Sequence, residues 1–246
     1  MFRYKNRVRI YFFLAIFSIL LIYIYFSPYF QLQKIVIEEN HFVNEQWIGE
    51  IIINQKTTNL FYISKHKMRK LIMSNIPQIR KIKFHKNYLS HTLNVRVWER
   101  KPFVNIVAYP DNFLVEENGI ILNIDKDKKP LPFPEYSNLP IIVGLTEESL
   151  LGRTELSAFY SYLFKGPLAT LIKEFDKTGI TFDINDPWAI KVLSKELVQL
   201  KIGDPNNISD KLKVIKSILK NLESNDKEKV EYIDVSQPKY PVVKLI

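Results

Sequence analysis

The sequence predicts an α+β protein with one N-terminal transmembrane helix. A small domain of order strand, helix, helix, strand, strand follows it, and then a mixed, mostly antiparallel β domain with flanking helices. Two observations predict this class. An uninterrupted apolar run, IYFFLAIFSILLIYIYF, occupies Ile10 to Phe26. After it, short stretches of alternating apolar residues are interspersed with stretches of helical periodicity, and the chain is long enough for two small domains.

A membrane-spanning helix is predicted over residues 10–30. At about 1.5 Å per residue, this segment is roughly 30 Å long, the thickness of the hydrocarbon core of a bilayer. A cleaved signal peptide is the alternative, but the run exceeds the usual length of about 7–15 residues and no small-x-small cleavage site follows it. Basic residues without acidic neighbours precede the run, so we expect them to orient the helix with residues 1–9 in the cytoplasm and the rest outside. These residues are Arg3, Lys5, Arg7 and Arg9.

Composition argues against catalysis. The chain has no cysteine, which excludes disulfides and thiolate metal sites. It contains no phosphate-binding glycine motif, no HExxH spacing and no G-x-S-x-G elbow. We therefore expect no catalytic site, no cofactor, no metal and no small-molecule substrate, although a wall-processing enzyme with an unrecognised site stays an alternative.

The charge of the chain points to anionic surfaces in general. Of the net charge of +9, residues 1–9 contribute +4, and the remaining excess comes from scattered lysines rather than from a basic face interleaved with aromatic residues. We therefore expect no nucleic-acid partner. Attraction to anionic lipid or cell-wall polymer is the milder inference.

The first domain is predicted over residues 31–101. Leu32 to Glu38 alternates as a strand, Asn44 is placed to cap one helix, and Ser64 is placed to cap a second that cannot continue past Pro77. Two alternating strands follow. Two helices on one face of a three-stranded sheet would leave the other face in water. The predicted core consists of Ile35, Ile37, Ile48, Ile51, Ile52, Leu71, Ile72, Ile82, Phe84, Leu93, Val95 and Val97.

The second domain is predicted over residues 102–246. Asn118-Gly119 predicts a type I′ turn in a hairpin from Asn112 to Leu122. A long helical pattern, kinked or divided at Gly166-Pro167, covers residues 156–175. A later helix over 212–222 is capped by Asn207 or Ser209. Strand-like runs are predicted at 139–145, 179–184, 189–202, 230–235 and 242–246.

Several passages resemble one bacterial family. The segment from Asn87 to Phe103, NYLSHTLNVRVWERKPF, is similar to the passage P-x-T-L-x-I-x-V-x-E-R-x-P of the cell-division family FtsQ/DivIB. LVEENGIIL, LPIIVGL and YIDVS resemble three further passages of that family. Two departures are the missing proline before the Thr-Leu pair and Ser236-Gln237 in place of Arg-Tyr. The resemblance implies that residues 31–101 form a POTRA domain.

The resemblance also implies a function. Such a protein is a non-enzymatic divisome scaffold that links early and late cell-division proteins and helps control septal peptidoglycan synthesis. It lies in the cytoplasmic (inner) membrane at the division septum, and its POTRA domain contributes to recruitment. Its implied partners are an FtsB/DivIC-like and an FtsL-like coiled-coil protein. The alternative is a membrane-anchored POTRA-like module for protein export or outer-membrane assembly.

The partner site implied by the resemblance lies in the C-terminal strands, residues 233–246. A final strand has no following element to pair with, and Val242 to Ile246 is more apolar than an exposed edge normally is. A partner strand could therefore add to this edge through main-chain bonds. Alternatively, Val242 to Ile246 completes the sheet with its apolar face inward. The candidate contact residues are Asp234, Gln237, Tyr240, Val242, Val243 and Leu245.

Overall fold

The computed structural model describes residues 2–55, 57–131, 138–175, 179–194, 198–222 and 229–246. The chain forms two compact units, Met1–Glu99 (unit 1) and Arg100–Ile246 (unit 2). Side chains of residues 2–9 lie outside the described part of the chain. The orienting role expected for Arg3, Lys5, Arg7 and Arg9 concerns those side chains and stays a prediction.

Helix α1, Phe2–Phe26, covers the apolar run. It ends there because the Ser27 hydroxyl accepts the N–H of Tyr29 and starts a separate 3-10 turn at Pro28–Phe30. Among the described residues, no helix combines the length and the apolar character needed to cross a membrane. The transmembrane helix predicted over residues 10–30 is corrected accordingly.

Unit 1 is built on a three-stranded sheet with two helices, in the predicted order of elements. Its strands are β1 (Lys34–Glu38), β2 (Ile79–Asn87) and β3 (Thr92–Glu99), and the two helices that follow α1 are α2 (Glu45–Ile53) and α3 (Lys65–Asn75). β3 is the central strand. It runs parallel to β1 and antiparallel to β2, so β1 and β2 are the two edges of this sheet.

Both predicted helix caps of unit 1 are confirmed. The Asn44 side chain accepts the N–H of Gln46 at 2.8 Å, and the Ser64 hydroxyl accepts the N–H of Lys67 at 3.4 Å. These bonds satisfy N–H groups that the first turn of a helix leaves without intrahelical partners.

The predicted core of unit 1 is confirmed for most positions, with one error. Leu71 is exposed, because it is rotated by about 100° from Ile72 around α3. Ile35, Ile37 and Ile51 are only partly buried. Sequence reasoning missed several buried residues of loops and element ends, namely Leu60, Ile63, Ile76 and Ile79.

The water-facing side of this sheet carries a small basic and aromatic group. The Nζ atoms of Lys81 and Lys83 lie 5.2 and 5.5 Å from the ring centroid of Trp98. The sequence pattern had indicated lysines without such aromatic neighbours. The alternation of side chains along β2 and β3 brings these three residues onto one face.

The described residues of unit 2 form one mixed sheet of eight strands. They are β4 (Val104–Ala108), β5 (Asp111–Val115), β6 (Ile141–Val143), β7 (Ile180–Asp183), β8 (Ile190–Ser194), β9 (Gln199–Gly203), β10 (Val230–Asp234) and β11 (Val242–Leu245). Their order is β11-β10-β9-β8-β7-β6-β4-β5. The pairs β9–β10, β6–β7 and β4–β6 are parallel, so antiparallel pairing predominates only slightly. The single run predicted at 189–202 forms two strands, β8 and β9.

The predicted break at Gly166-Pro167 is confirmed as a wide turn. α4 (Ala158–Leu163) and α5 (Ala169–Glu174) are joined by π-helical residues Phe164–Leu168, with Pro167 inside. Proline has no N–H for the regular helical bond, and the wider turn accommodates this loss. The third helix, α6 (Ile208–Asn221), follows Asn207 as predicted, but the Asn207 side chain makes no capping bond.

The hairpin turn near Gly119 differs from the predicted type I′ turn. A type I′ turn needs positive φ at both central residues. Gly119 has a φ of 83°, whereas Asn118 is not among the residues with positive φ. The Gly119 N–H donates to the Glu116 carbonyl at 2.7 Å. This arrangement fits a longer hairpin loop in which one glycine follows an ordinary turn.

Candidate functional site

The predicted partner site lies at one edge of the unit 2 sheet. β11 is the last strand in the sheet order and pairs antiparallel with β10. Asp234 lies opposite Val242, and Ile233 lies opposite Val243. The Ile246 N–H donates to the Lys229 carbonyl at 2.7 Å, so pairing continues to the last residue of the sequence.

The backbone of β11 presents two residues to the open edge. The main-chain N–H and C=O groups of successive strand residues point in opposite directions. The Ile246 N–H points toward Lys229, in the chain segment that leads into β10. The main-chain groups of Val243 and Leu245 therefore point away from β10. An edge of this kind is a template for pairing with another strand. β11 therefore offers main-chain donors and acceptors at alternate positions.

The side chains of Val243 and Leu245 lie on the side of the sheet on which the side chains of the neighbouring strand, β10, are buried. Their partners across the pair are Ile233 and Val230, which are buried in the core. Val243 is nevertheless 37% exposed and Leu245 58% exposed. The apolar face of β11 is therefore only partly covered, and the alternative that Val242 to Ile246 simply completes the sheet stays an alternative to the partner site.

The opposite face of this edge carries a charged and aromatic ladder. The Lys201 Nζ lies 3.3 Å from the ring centroid of Tyr232. The Lys244 Nζ lies 5.7 Å from the same ring and 2.7 Å from Oε2 of Glu231. The hydrogen bond to Glu231, and then its negative charge, raise the pKa of Lys244 above the ordinary lysine value. Sequence reasoning missed this ladder. The alternation of side chains along VEYID and VVKLI nevertheless indicates that Tyr232 and Lys244 lie on the face opposite to their apolar neighbours.

The turn before β11 is held by local contacts. Oδ1 of Asp234 accepts the N–H of Ser236 at 2.9 Å and its hydroxyl at 2.6 Å. The carbonyl of Gln237 accepts the Tyr240 N–H at 2.9 Å. Gly203 has a φ of 73°, and a Cβ added there would lie 2.6 Å from Cβ of Ser236. The turn therefore packs closely against the end of β9.

The structure brings the predicted site residues together on one hairpin. Tyr240, Val242, Val243 and Leu245 are exposed apolar or amphipathic residues, and Gln237 is exposed in the turn. Asp234 differs, because Oδ1 of its carboxylate holds the turn. Contact of these residues with a partner stays a prediction.

Unit 1 has a second open edge at β1. A groove of about 500 Å³ runs between β1 and α2, with Ile35 and Ile37 on one side and Gly49 and Ile53 on the other.

Within the described residues, no group of three or more histidine and carboxylate side chains is arranged to hold a metal ion.

Comparison with known families matches both units. Residues 30–100 match the sequence family described as POTRA domain, FtsQ-type. Residues 106–236, more than half of the chain, match the family described as Cell division protein FtsQ/DivIB, C-terminal. The second match ends before β11.

Curated relatives carry one name. A protein of Clostridium acetobutylicum named Cell division protein DivIB is 26% identical over 220 residues, covering 89% of this chain and 84% of the relative. A protein of the same name from Clostridium botulinum strain Loch Maree is 27% identical over 235 residues, covering 94% of this chain and 88% of the relative. Similarity therefore extends over nearly the full length of these relatives.

Proposed function

Because this chain belongs to the FtsQ/DivIB family of cell-division proteins, we propose that it acts as a non-enzymatic scaffold of the division machinery. In this role it links early and late division proteins and helps control septal peptidoglycan synthesis through protein contacts. Its POTRA domain contributes to recruitment. In this role the protein acts by binding other proteins, so the relevant features are those of a protein–protein interface.

The open edge of β11 carries this proposal. An extended segment of an FtsB/DivIC-like coiled-coil protein, which acts together with an FtsL-like protein, adds to β11 as a further strand. Main-chain bonds to Val243 and Leu245 supply affinity, as in other cases of β-augmentation. The support is that these residues are exposed while their neighbours on β10 are buried.

Side chains on the two faces of β11 would supply specificity. Val243 and Leu245 form an apolar strip that an alternating partner strand would cover. Tyr240, at the start of the strand, is 76% exposed, and tyrosine is enriched in protein interfaces. The pair Lys244–Glu231 on the other face lies at the rim, where charges steer association more than they add affinity.

The proposed location is the membrane at the division septum. Side chains of α1 from Ile10 to Phe26 are apolar or aromatic apart from Ser18 and nearly all exposed, and a contiguous apolar surface of this kind favours contact with lipid or protein. The basic residues before this segment would meet the anionic headgroups of the cytoplasmic leaflet. They are Arg3, Lys5, Arg7 and Arg9.

The test compares two substitutions at Val243. Val243→Pro removes the N–H that points to the open edge and leaves the bonds between β10 and β11 in place. Val243→Ala keeps that N–H and shortens the side chain. Binding of the full chain, in detergent, to the outer segment of the DivIC-like protein of the same organism is measured by calorimetry. We expect Val243→Pro to weaken binding about tenfold or more, since an unmade main-chain bond costs about 1–3 kcal/mol.

Hydrogen exchange separates loss of binding from loss of structure. Amides of β9 and β10 should keep their protection in Val243→Pro. If both variants bind as tightly as the wild type while that protection is kept, the partner does not use this edge. A weakening that is equal in the two variants would assign the affinity to the side chain and contradict strand addition.

A further inference from the structure

Several loops of unit 1 lie at one end of its sheet, the end where α1 joins. β1 begins at Lys34, β3 begins at Thr92 and β2 ends at Asn87. The connection between α2 and α3 reaches the same end, because the Leu32 N–H donates to the Thr58 carbonyl at 2.9 Å. Residues 27–33, 57–64 and 87–91 are called the loop surface below.

α1 is fixed to the loop surface by hydrogen bonds to its last turns. The Asn59 Nδ2 donates to the carbonyls of Ile24 and Tyr25 at 2.9 and 3.0 Å. The Tyr62 hydroxyl donates to the Leu21 carbonyl at 3.2 Å. The two bonds from Asn59 satisfy carbonyls that the end of a helix leaves open, and the bond from Tyr62 adds a second acceptor contact one turn earlier. The apolar surface of α1 therefore continues directly into the loop surface.

Aromatic rings cluster on the loop surface. The ring centroid of Phe30 lies 6.2 Å from that of Phe61 and 6.4 Å from that of Tyr88. Phe61 is nevertheless 51% exposed, and Leu89 at the tip of the β2–β3 turn is 85% exposed. Contiguous exposed apolar groups of this kind mark interaction surfaces. Aromatic residues in particular are favoured at the interface between water and lipid.

The charge around these rings is positive. Between Ile51 and Trp98 the sequence contains ten lysine and arginine residues and no aspartate or glutamate. Lys65, the first residue of α3, and Lys86, near the end of β2, both lie beside the loop surface. Burial, and then the nearby charge of Lys65, lower the pKa of Lys86. Two ammonium groups close enough to repel each other form a site for an anionic surface.

We propose that the loop surface of the POTRA domain rests on an anionic lipid surface, with Phe61 and Leu89 entering the interface and Lys65 and Lys86 beside the headgroups. This inference rests on the lipid contact proposed for α1 and extends it to the folded domain. Acidic lipids attract lysine near a membrane surface, and the rings and Leu89 add apolar contact. The contact would hold unit 1 in a fixed orientation at the membrane.

Single cysteines test the proposal, because the chain has none of its own. Phe61→Cys and Leu89→Cys place an environment-sensitive fluorophore on the loop surface, and Phe17→Cys places it on α1. His41→Cys is the control at the other end of the sheet, since the length of β3 separates the two ends by about 23 Å. Each labelled full chain is reconstituted into vesicles of phosphatidylcholine, with and without phosphatidylglycerol. Quenching by brominated lipid is then measured.

We expect labels at Phe61 and Leu89 to be quenched, more strongly with phosphatidylglycerol, and the label at His41 to stay in water. The pair Lys65→Glu and Lys86→Glu should lose most of the dependence on phosphatidylglycerol. A matched pair at the other end of β2 changes the net charge equally and should keep that dependence. This control pair is Arg80→Glu and Lys81→Glu.

Three results would overturn the proposal. A label at Leu89 as water-like as that at His41, with Phe17 quenched, would leave the contact of α1 intact and remove that of the loop surface. Water-like labels at Phe17 and Leu89 alike would remove both lipid contacts. If the emission of the label at Leu89 shifts to the blue, is not quenched by brominated lipid and shifts further as the protein-to-lipid ratio rises, the surface contacts a second copy of the chain instead.

Discussion

The carboxylate of Glu99 binds the backbone of Val43 across 56 residues of sequence. Its Oε1 accepts the Val43 N–H at 2.9 Å and the His41 N–H at 2.8 Å, and its Oε2 accepts the Phe42 N–H at 2.8 Å. Glu99 ends β3, and Val43 immediately precedes Asn44, the cap of α2. One side chain at the end of unit 1 therefore fixes the start of a helix.

Glu99→Gln should loosen this loop. The amide replaces one acceptor oxygen by an NH₂ group that faces N–H donors. Bonds to a charged acceptor contribute about 1.5–3 kcal/mol, so we expect opening of residues 41–48 to become easier by about 2 kcal/mol. Hydrogen exchange of these amides measures the change. Glu38→Gln is the control, since Glu38 pairs with Arg96 on the surface and should change exchange by less than about 0.5 kcal/mol. Equal effects of the two variants would contradict the assignment.

Three consecutive isoleucines provide a test of the core of unit 1. Ile52 is 1% exposed, Ile51 is partly buried and Ile53 is 59% exposed. We expect Ile52→Ala to lower the free energy of unfolding by about 2–5 kcal/mol and Ile53→Ala to lower it by less than about 0.5 kcal/mol. The effect of Ile51→Ala should lie between these two. In a Trp188→Phe background, tryptophan fluorescence during denaturant unfolding reports unit 1 alone, because the other two tryptophans lie in that unit. A cost for Ile53→Ala as large as that for Ile52→Ala would place the wrong face of α2 inward.

Local patterns predicted unit 1 well where one residue type has one physical role. Asn44 and Ser64 cap helices because their side-chain oxygens reach the first free N–H groups. Alternation along β2 and β3 identified Phe84 and Val95 as buried. Leu71 was assigned wrongly, because an apolar residue at the border of a helix stripe faces either way depending on what packs above it. Buried loop residues such as Leu60 follow no period, so sequence patterns did not reveal them.

The candidate site was predictable as a position and less so as a set of contacts. The apolar alternation of Val242 to Ile246 predicted a strand, and the sheet order places this strand, β11, at an edge. That Asp234 holds a turn depends on the path of residues 235–241, which a single sequence does not specify. Predicting that Tyr232 lies between Lys201 and Lys244 requires the order of strands in the sheet, because β9 and β10 are distant in sequence.

Gly203 supports the turn that carries the site. Gly203→Ala should be destabilising for two reasons, positive φ and a Cβ placed 2.6 Å from Cβ of Ser236. Gly179→Ala is the matched control, since Gly179 has a φ of 84° but no atom of the described residues lies within 4 Å of a Cβ added there. We expect a cost of about 1–2 kcal/mol for Gly179→Ala from its backbone alone, and about 1–3 kcal/mol more for Gly203→Ala from overpacking.

A double variant isolates the steric contribution. Ser236→Gly removes the Cβ that Gly203→Ala would meet, so the combination should recover most of the excess cost in thermal unfolding. Gly203→Ala alone should also weaken binding at β11, because the turn before this strand is displaced. Equal melting temperatures for Gly203→Ala and Gly179→Ala would show that the close approach has no energetic consequence.

Acid stability provides the last prediction, at a buried lysine between β9 and α6. Lys211 is buried, and its Nζ donates to the carbonyl and Oδ1 of Asp204, both at 2.9 Å. The hydrogen bond from Lys211 is the largest cause that lowers the pKa of Asp204 below its ordinary value. A lowered folded-state pKa means that the carboxylate stabilises the fold above the unfolded value of about 3.9. This contribution is lost as the pH falls through the folded-state pKa.

Asp204→Asn removes the charge and should therefore cost stability at neutral pH and progressively less in acid. The Asp204 side chain is 44% exposed, so screening limits the cost at pH 7 to below about 1 kcal/mol. Denaturant unfolding at a series of pH values from about 7 to 2 covers the window in which the difference from the wild type should shrink. Asp210→Asn removes a carboxylate paired with Lys213 on the surface of α6 and should cost less than about 0.5 kcal/mol at pH 7. A difference between wild type and Asp204→Asn that grows as the pH falls below 4 would reverse the sign of the effect, and the bond to Lys211 would then not stabilise the ionised carboxylate.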